Sequence, residues 1–331
     1  MPPRSIPRRI AAGFFACAAP DLDFVIGFAG PVEYLLHHRG VTHSLLLAPL
    51  WAFPVAWLLA RILREPGGWR ALYAVCMLAI YAHIAGDWIT SFGTMVLAPF
   101  SDWRAGIGTT FIIDLWFSGI IIAGLVFSGV LFRSRIPSVV SLAALAGYVG
   151  FQYVQKENAL EIGRDYANSR GMRDALVTAQ PRPVSPFNWT VFVSDARDHH
   201  VAHVNLVREV PRSYRPGDGF VARLDSAYQP RALVQWETRS RYGGRDAARA
   251  AWESPAFGFF RWFAALPALE SSDADDRCHW FVDLRFGSPG RDVMPFRFGV
   301  CREDAREDAR SALGSAWRAY EFDGETRIAL N

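Results

Sequence analysis

The chain has 331 residues, 35 of them basic and 32 acidic, with 51% hydrophobic content and a positive mean hydropathy. This excludes a disordered chain, a collagen-like fibre and a disulfide-knot scaffold. The net charge of +3 gives no whole-chain reason to expect a nucleic-acid partner.

The charge is unevenly spread. Residues 1–155 carry 10 Arg and 7 acids, 11% of that stretch, whereas 156–331 carry 25 basic and 25 acidic groups, 28%. The first part is too apolar for a soluble domain and the second has ordinary soluble composition. The expected organisation is a polytopic α-helical membrane domain over 1–155, followed by a soluble α+β or mostly β domain over 156–331.

In chain order, 10–29 is apolar except for Asp21 and Asp23, and reads as a span or a re-entrant piece. The runs 45–63, 71–82 (continuing towards Trp88), 111–132 and 139–154 follow. A spanning helix needs about 20 mostly apolar residues. The 111–132 run meets that alone and the others with their flanks. Residues 156–178 have helical spacing and extend the last span outward.

Beyond them, 189–194 with 200–207, and 279–286 with 294–300, read as hairpins around turn residues. Residues 257–266 read as a short helix and 302–310 as a solvated helix face. Cys278 and Cys301 fall at the outer ends of the second hairpin, about one position out of register. They are either two free thiols or, with a small shift of register, a disulfide.

Arginine positions set the expected topology. Arg61, Arg64 and Arg70 share one loop, and Arg133 and Arg135 another, with Arg4, Arg8 and Arg9 on the same side if 10–29 crosses. The positive-inside rule makes that side cytoplasmic. The 30–44 and 87–106 segments and the C-terminal domain then lie opposite, in the periplasm.

Four of the eight histidines lie in the low-charge part, at 37, 38, 43 and 83, beside Asp21, Asp23 and Asp87. Ionisable groups in apolar segments are costly and mark interior sites. His83 and Asp87 are four apart, on one helix face. Asp21 and Asp23 converge only in extended or irregular backbone after Pro20. His38 and His43 flank a turn at Gly40.

Carboxylates with imidazoles suit zinc, manganese or iron, ions that activate water and neutralise charge on a phosphoryl or acyl oxygen. Each pair has a plainer reading. His83 and Asp87 could be a helix-surface hydrogen bond, Asp21 and Asp23 turn residues, and His37 a neighbour rather than a ligand. Arg39 could clamp a phosphate oxygen or pair with Asp21 or Glu33. Thr42 and Ser44 could donate to ligand carboxylates or rings, and Asp114 could face the same cavity or be a buried hydrogen-bonded acid. His199, His200 and His203 read as surface histidines of a hairpin, because strand alternation separates His200 from the other two.

Three strings, Pro20-Asp21-Leu22-Asp23, His38-Arg39-Gly40-Val41-Thr42-His43-Ser44 and His83-x-x-x-Asp87 with Thr90, Gly93 and Pro99, resemble the YdjM-like family. These are bacterial inner-membrane-associated proteins inferred to be metal-dependent hydrolases and also described as LexA-binding. The resemblance covers about residues 10–155. More weakly, Ser185-Pro186-Phe187-Asn188-Trp189 resembles the extra domain of longer members. By this resemblance the metal ligands are Asp21, Asp23, His38, His43, His83 and Asp87. Family members commonly carry an Asp-x-x-Thr-His-like motif before Pro-Asp-x-Asp. No His precedes His37 here, so either that ligand is absent or the start lies further upstream.

The expected function is a membrane-bound metal-dependent hydrolase holding divalent ions, zinc first. It would act on a phosphoester of a lipid or lipid-linked substrate, with Arg39 and Asp87 as catalytic residues. The alternative is a non-enzymatic membrane protein with a structural metal and a partner-binding C-terminal domain. The LexA-binding description would need a cytoplasmic partner, against the topology above.

Overall fold

The computed structural model describes residues 5–131, 134–215, 217–289, 294–302, 317–323 and 326–330. Arg4, Arg133 and Gly290 lie outside them, as does most of the 302–310 segment. The chain folds as two compact units, 1–108 and 109–331.

In the first unit α1 (Ser5–Ala18) runs into a ten-residue 3-10 segment, Pro20–Ala29. Next come α2 (Pro31–His37), a short 3-10 turn Val41–His43, α3 (Ala48–Ile62) and α4 (Gly68–Trp88). Prolines 20, 31 and 49 each stand in the first turn of a segment, where the missing N–H costs nothing. Alanines 48, 52, 56 and 60 line the buried side of α3 at i+4 spacing, facing Ala12 and Ala16 of α1 and Leu72, Cys76, Ile80 and Ile84 of α4. Small residues let backbones approach closely where lipid removes the hydrophobic driving force between helices. Large side chains such as Phe14, Phe28, Leu50, Leu58 and Leu78 point outward.

Arg8 meets Glu65 at 3.8 Å, which sets the start of α1 beside the α3–α4 loop. The C-terminal end of α4, with His83 and Asp87, lies at the opposite end of this unit.

Among the described residues three helical stretches are long and apolar enough to cross a membrane: Ile6–Ala29, Gly68–Trp88 and Ile136–Ser169. A fourth arises if Pro31–His43 and Ala48–Ile62, bent by 83°, form one broken span. Leu115–Leu131 is apolar but shorter.

The second unit opens with α5 (Leu115–Val126), capped by the Asp114 carboxylate on Phe117 N at 2.8 Å. The same carboxylate accepts from the Tyr148 hydroxyl and the Gln152 amide, each at 2.9 Å. Asp114 is therefore a hydrogen-bonded acid inside this unit. The α6 helix (Ile136–Ser169) runs without interruption through the composition break near residue 155. Its first half exposes Ile136, Val139, Val140 and Leu142, and its second half buries Gln155, Ala159, Ile162, Gly163 and Ala167.

Two five-stranded sheets follow. The first holds β1 (Leu176–Pro181), β2 (Asn188–Ser194), β3 (Asp198–Asn205), then α7 (Phe220–Ser226), β4 (Gln229–Pro230) and β5 (Trp236–Ser240). After α8 (Asp246–Glu253) and α9 (Gly258–Phe263), the second sheet is a meander of β6 (Pro267–Ser272), β7 (Cys278–Asp283), β8 (Phe298–Arg302), β9 (Trp317–Asp323) and β10 (Thr326–Ala329).

One face of the first sheet packs Ala179, Trp189, Val191 and Val204 on Ala159 and Ile162 of α6. The other turns Phe192 and Val201 towards Leu266, Ala268, Val282 and Leu284 of the second sheet region. Cys278 pairs directly with Cys301 across β7 and β8 and forms a disulfide with it. The expected one-residue offset is absent because β7 ends at Asp283 and a 3-10 turn at Leu284–Phe286 takes up the slack.

His199 and His203 share the inter-sheet side, as alternation requires, but they are not surface residues. His199 is fully buried, bonded to Ser194 Oγ at 2.7 Å and to the Pro267 carbonyl at 2.8 Å.

Candidate metal centre

His83 and Asp87 occupy successive turns of α4. Asp21 approaches from the 3-10 segment after α1, and His43 from the turn Val41–His43. One ligand atom from each of these four lies within 4.8 Å of the others. His43 Nε2 is 3.4 Å from Asp21 Oδ1, 3.1 Å from Asp87 Oδ2 and 3.1 Å from His83 Nε2. His83 Nε2 is 3.4 Å from Asp21 Oδ1 and 3.5 Å from Asp87 Oδ2. Ligands about 2 Å from a tetrahedral ion stand roughly 3.3 Å apart, so these separations suit one cation. Asp87 Oδ2 is buried without a hydrogen bond, as a carboxylate oxygen reserved for an ion would be.

The tautomer of His43 follows from its other nitrogen. The Thr42 hydroxyl donates to Asp23 Oδ2 at 2.9 Å, and His43 Nδ1 lies 2.9 Å from that hydroxyl oxygen and 3.4 Å from the same carboxylate. Its Nδ1–H is therefore the donor, and Nε2 presents a lone pair to the cluster.

Asp23 stands one step behind. It is buried, takes His38 Nδ1–H at 2.8 Å on one oxygen and the Arg39 backbone N–H at 3.0 Å on the other. His38 stacks on Tyr34 at 4.5 Å between ring centroids and lies outside the four-residue group. The two aspartates do not sit on extended backbone. In a 3-10 helix residues two apart point about 240° apart, so Asp21 faces the cluster while Asp23 faces the turn. His37 pairs with Glu33 at 3.3 Å on the surface.

Arg39 is buried. It reaches Asp87 Oδ1 through Nη2 at 3.0 Å and Thr90 Oγ1 through Nη1 at 3.2 Å. Neither Asp21 nor Glu33 is its partner. Its backbone holds φ at 58°, a strained conformation for a non-glycine residue. Gly40 next to it is needed for close approach, since a Cβ there would come within 2.7 Å of the His37 carbonyl oxygen. The Arg39 guanidinium also lies 4.9 Å from the Phe92 ring centroid, and Arg104 lies 4.8 Å from the same ring. Thr42 acts as the sequence suggests. Ser44 instead accepts from Leu47 N at the start of α3.

One contributor went unnoticed in the sequence. Phe92 stacks between two arginines, for which no local motif exists.

Asp21 is half exposed while His43 is fully buried and His83 and Asp87 nearly so, so the cluster opens on the Asp21 side. Beside it lies a cavity of 390 Å³ walled by Leu22, Val25, Ile26, Trp51, Leu58 and Ile80, with Asp23 and Thr42 as its polar residues.

The uncharacterized protein YfhP of Bacillus subtilis (strain 168) is 24% identical over 274 residues, covering 82% of this chain and 75% of YfhP. A match of that length extends past residue 159 into the second unit. No solved structure matches the chain. The model of the YdjM inner membrane protein family matches residues 2–159, which hold all four clustered side chains.

Proposed function

We propose that this is a multi-pass membrane hydrolase dependent on a divalent metal, acting on a phosphoester of a lipid or lipid-linked substrate. The observation that carries the reading is the convergence of Asp21, His43, His83 and Asp87, with the Arg39 guanidinium held at Asp87. Those four residues would hold the ion, and zinc, manganese or iron suits their mixed nitrogen and oxygen donors. When bound, the ion supplies Lewis acidity and lowers the pKa of water.

The chain's own groups do the rest. Asp23 and Thr42 fix the His43 tautomer, and Asp87 holds Arg39 beside the cluster. The Arg39 guanidinium is the group to steady a non-bridging or leaving oxygen. The apolar cavity beside Asp23 and Thr42 supports a substrate with a hydrocarbon part. In this reading the C-terminal domain is periplasmic. The Cys278–Cys301 disulfide supports that side, because oxidising compartments sustain such bonds.

The test joins metal analysis of the detergent-purified protein to a hydrolysis screen of phospholipid and nucleotide esters. Stoichiometric metal with turnover of a lipid phosphoester, lost in Asp87→Asn, is expected. Tightly held metal without turnover of any ester leaves the structural-metal alternative. Neither metal nor turnover ends both.

A further inference from the structure

Beyond residue 155 eight large apolar side chains are exposed among the described residues, and five of them, Val207, Val210, Tyr214, Phe220 and Val221, fall in one stretch between β3 and the start of α7. Val210 is 74% exposed and Phe220 67%. The stretch is tied down. Leu206 N donates to the Phe187 carbonyl at 3.0 Å, and Val207 N and Arg208 N donate to Asn205 Oδ1 at 3.2 and 2.9 Å. Arg208 and Arg212 both donate to Asp225 Oδ2, at 2.6 and 2.9 Å. A fixed segment that holds this many apolar groups outward marks an interaction surface.

Two contacts with α6 give its height. Outward apolar residues of α6 continue to Tyr153 and Val154, and Lys156 and Glu157 follow. The Phe187 ring meets Phe151 at 5.6 Å between centroids, inside that apolar half. From there β2 runs alongside α6 away from the apolar half, since a Cβ on Gly163 would stand 2.9 Å from Val191 Cγ1 and 3.4 Å from Val193 Cγ2. The antiparallel β3 returns. His200 Nδ1 lies 3.2 Å from the Tyr166 hydroxyl. The five residues from His200 to Asn205 cover about 17 Å, the rise of about 11 helical residues, which leads back from Tyr166 to the level of Gln155. The 207–221 stretch therefore starts where the apolar half of α6 ends.

We propose that the 207–221 segment lies in the surface of the same bilayer that α6 crosses, with Val207, Val210, Phe220 and Val221 in the boundary between headgroups and acyl chains. Tyr214 and the exposed Arg215 and Arg223 are residue types that place an apolar body in that boundary and a polar tip in water. Arg208, Arg212, Arg215 and Arg223 stand against Glu209, Asp218 and Asp225, so the stretch is close to neutral. Apolar burial, not attraction to anionic headgroups, carries the contact. The surface rests on α6 crossing the membrane and not on the hydrolase reading.

The experiment places single cysteines at Val210, Phe220, Leu142 and Ala196 of the full chain in a Cys17→Ser, Cys76→Ala background. Each is labelled with an environment-sensitive fluorophore without reduction, in phosphatidylcholine nanodiscs with or without doxyl-bearing lipid. Leu142, in the apolar half of α6, reports the span, and Ala196, in the turn beyond the far end of β2, reports water. Labels at Val210 and Phe220 should be quenched by shallow doxyl groups at least about threefold more than the label at Ala196, and Leu142 by deep ones. Quenching at Leu142 with none at Val210 and Phe220 overturns the docking and leaves the span intact. Blue-shifted emission at Val210 or Phe220 without lipid quenching means that protein, a second copy included, covers the segment, and overturns the bilayer as its partner. No quenching at Leu142 ends the span and the docking together. If the background does not fold, the same cysteines are placed in the wild type and the signal of the labelled wild type is subtracted.

Discussion

The Nε2 atoms of His43 and His83 face each other at 3.1 Å, though forty residues separate them in the chain. Two ring nitrogens aimed at one another do not form a stable pair by themselves when both present lone pairs; an ion between them does. His83→Ala should therefore abolish stoichiometric metal in the purified protein, read by elemental analysis. Asp23→Asn should keep the ion but weaken its affinity about 10- to 100-fold in a chelator competition, as loss of a ligand-orienting partner does. Equal metal content in His83→Ala and wild type would refute the centre.

The proposed periplasmic placement of the C-terminal domain rests on the Cys278–Cys301 bond and the arginine pattern, which can be checked together. Thiol labelling of the unreduced, denatured protein should modify Cys17 and Cys76 and spare Cys278 and Cys301. A reporter joined after Asn331 should respond as periplasmic, and one near Arg64 as cytoplasmic. Labelling of all four thiols would sink the disulfide and weaken the periplasmic placement, and the opposite reporter pattern would overturn the proposed topology.

Acid should loosen the C-terminal domain. His203 is held at about 3 when folded, against 6.5 for an ordinary histidine, by burial first and by the Arg182 and Arg239 charges next. Burial lowers His199 and His279 in the same direction. The folded-state values lie below the unfolded ones, so the unfolded chain binds more protons below pH 6.5. Stability is then full above that value and falls as pH drops towards 3, by up to about 1.4 kcal/mol per pH unit for each such group. Denaturant midpoints of the folded domain at pH 7 and pH 5 should differ, and His203→Phe should reduce the difference. Identical midpoints would contradict the assigned burial.

Gly163 allows α6 to lie against the first sheet. A Cβ at that position would stand 2.5 Å from Val177 Cγ1 and 2.9 Å from Val191 Cγ1. Gly163→Ala gains about 1 kcal/mol of helix propensity but overpacks the contact by about 1–3 kcal/mol, so a net loss of up to about 2 kcal/mol is expected in denaturant melts. Gly147→Ala, with open space around it, should show no loss.

Much of this architecture was legible because its signals are local. The i, i+4 spacing of His83 and Asp87 needs only a helix, and the turn at Gly40 brings His43 inward. The burial of charges in an apolar stretch marked the region. The division of labour between Asp21 and Asp23 was not legible. It depends on a ten-residue 3-10 segment, a length that sequence periodicity does not favour. The partner of Arg39 was hidden for another reason. It comes from α4, forty-eight residues on, and only tertiary packing joins the two. Likewise β-alternation sorted His199, His200 and His203 correctly by face, but nothing local says that a second sheet covers that face.

The α6 helix has 34 residues, about 51 Å at 1.5 Å per residue, against a hydrocarbon thickness of about 30 Å. The excess is a rigid mast rather than a tether. Its lipid-facing half and its sheet-facing half are one hydrogen-bonded rod, so the β domain cannot swing on a loose leash. Any change in the tilt of the apolar half is therefore transmitted directly to the strands packed on Ala159 and Ile162.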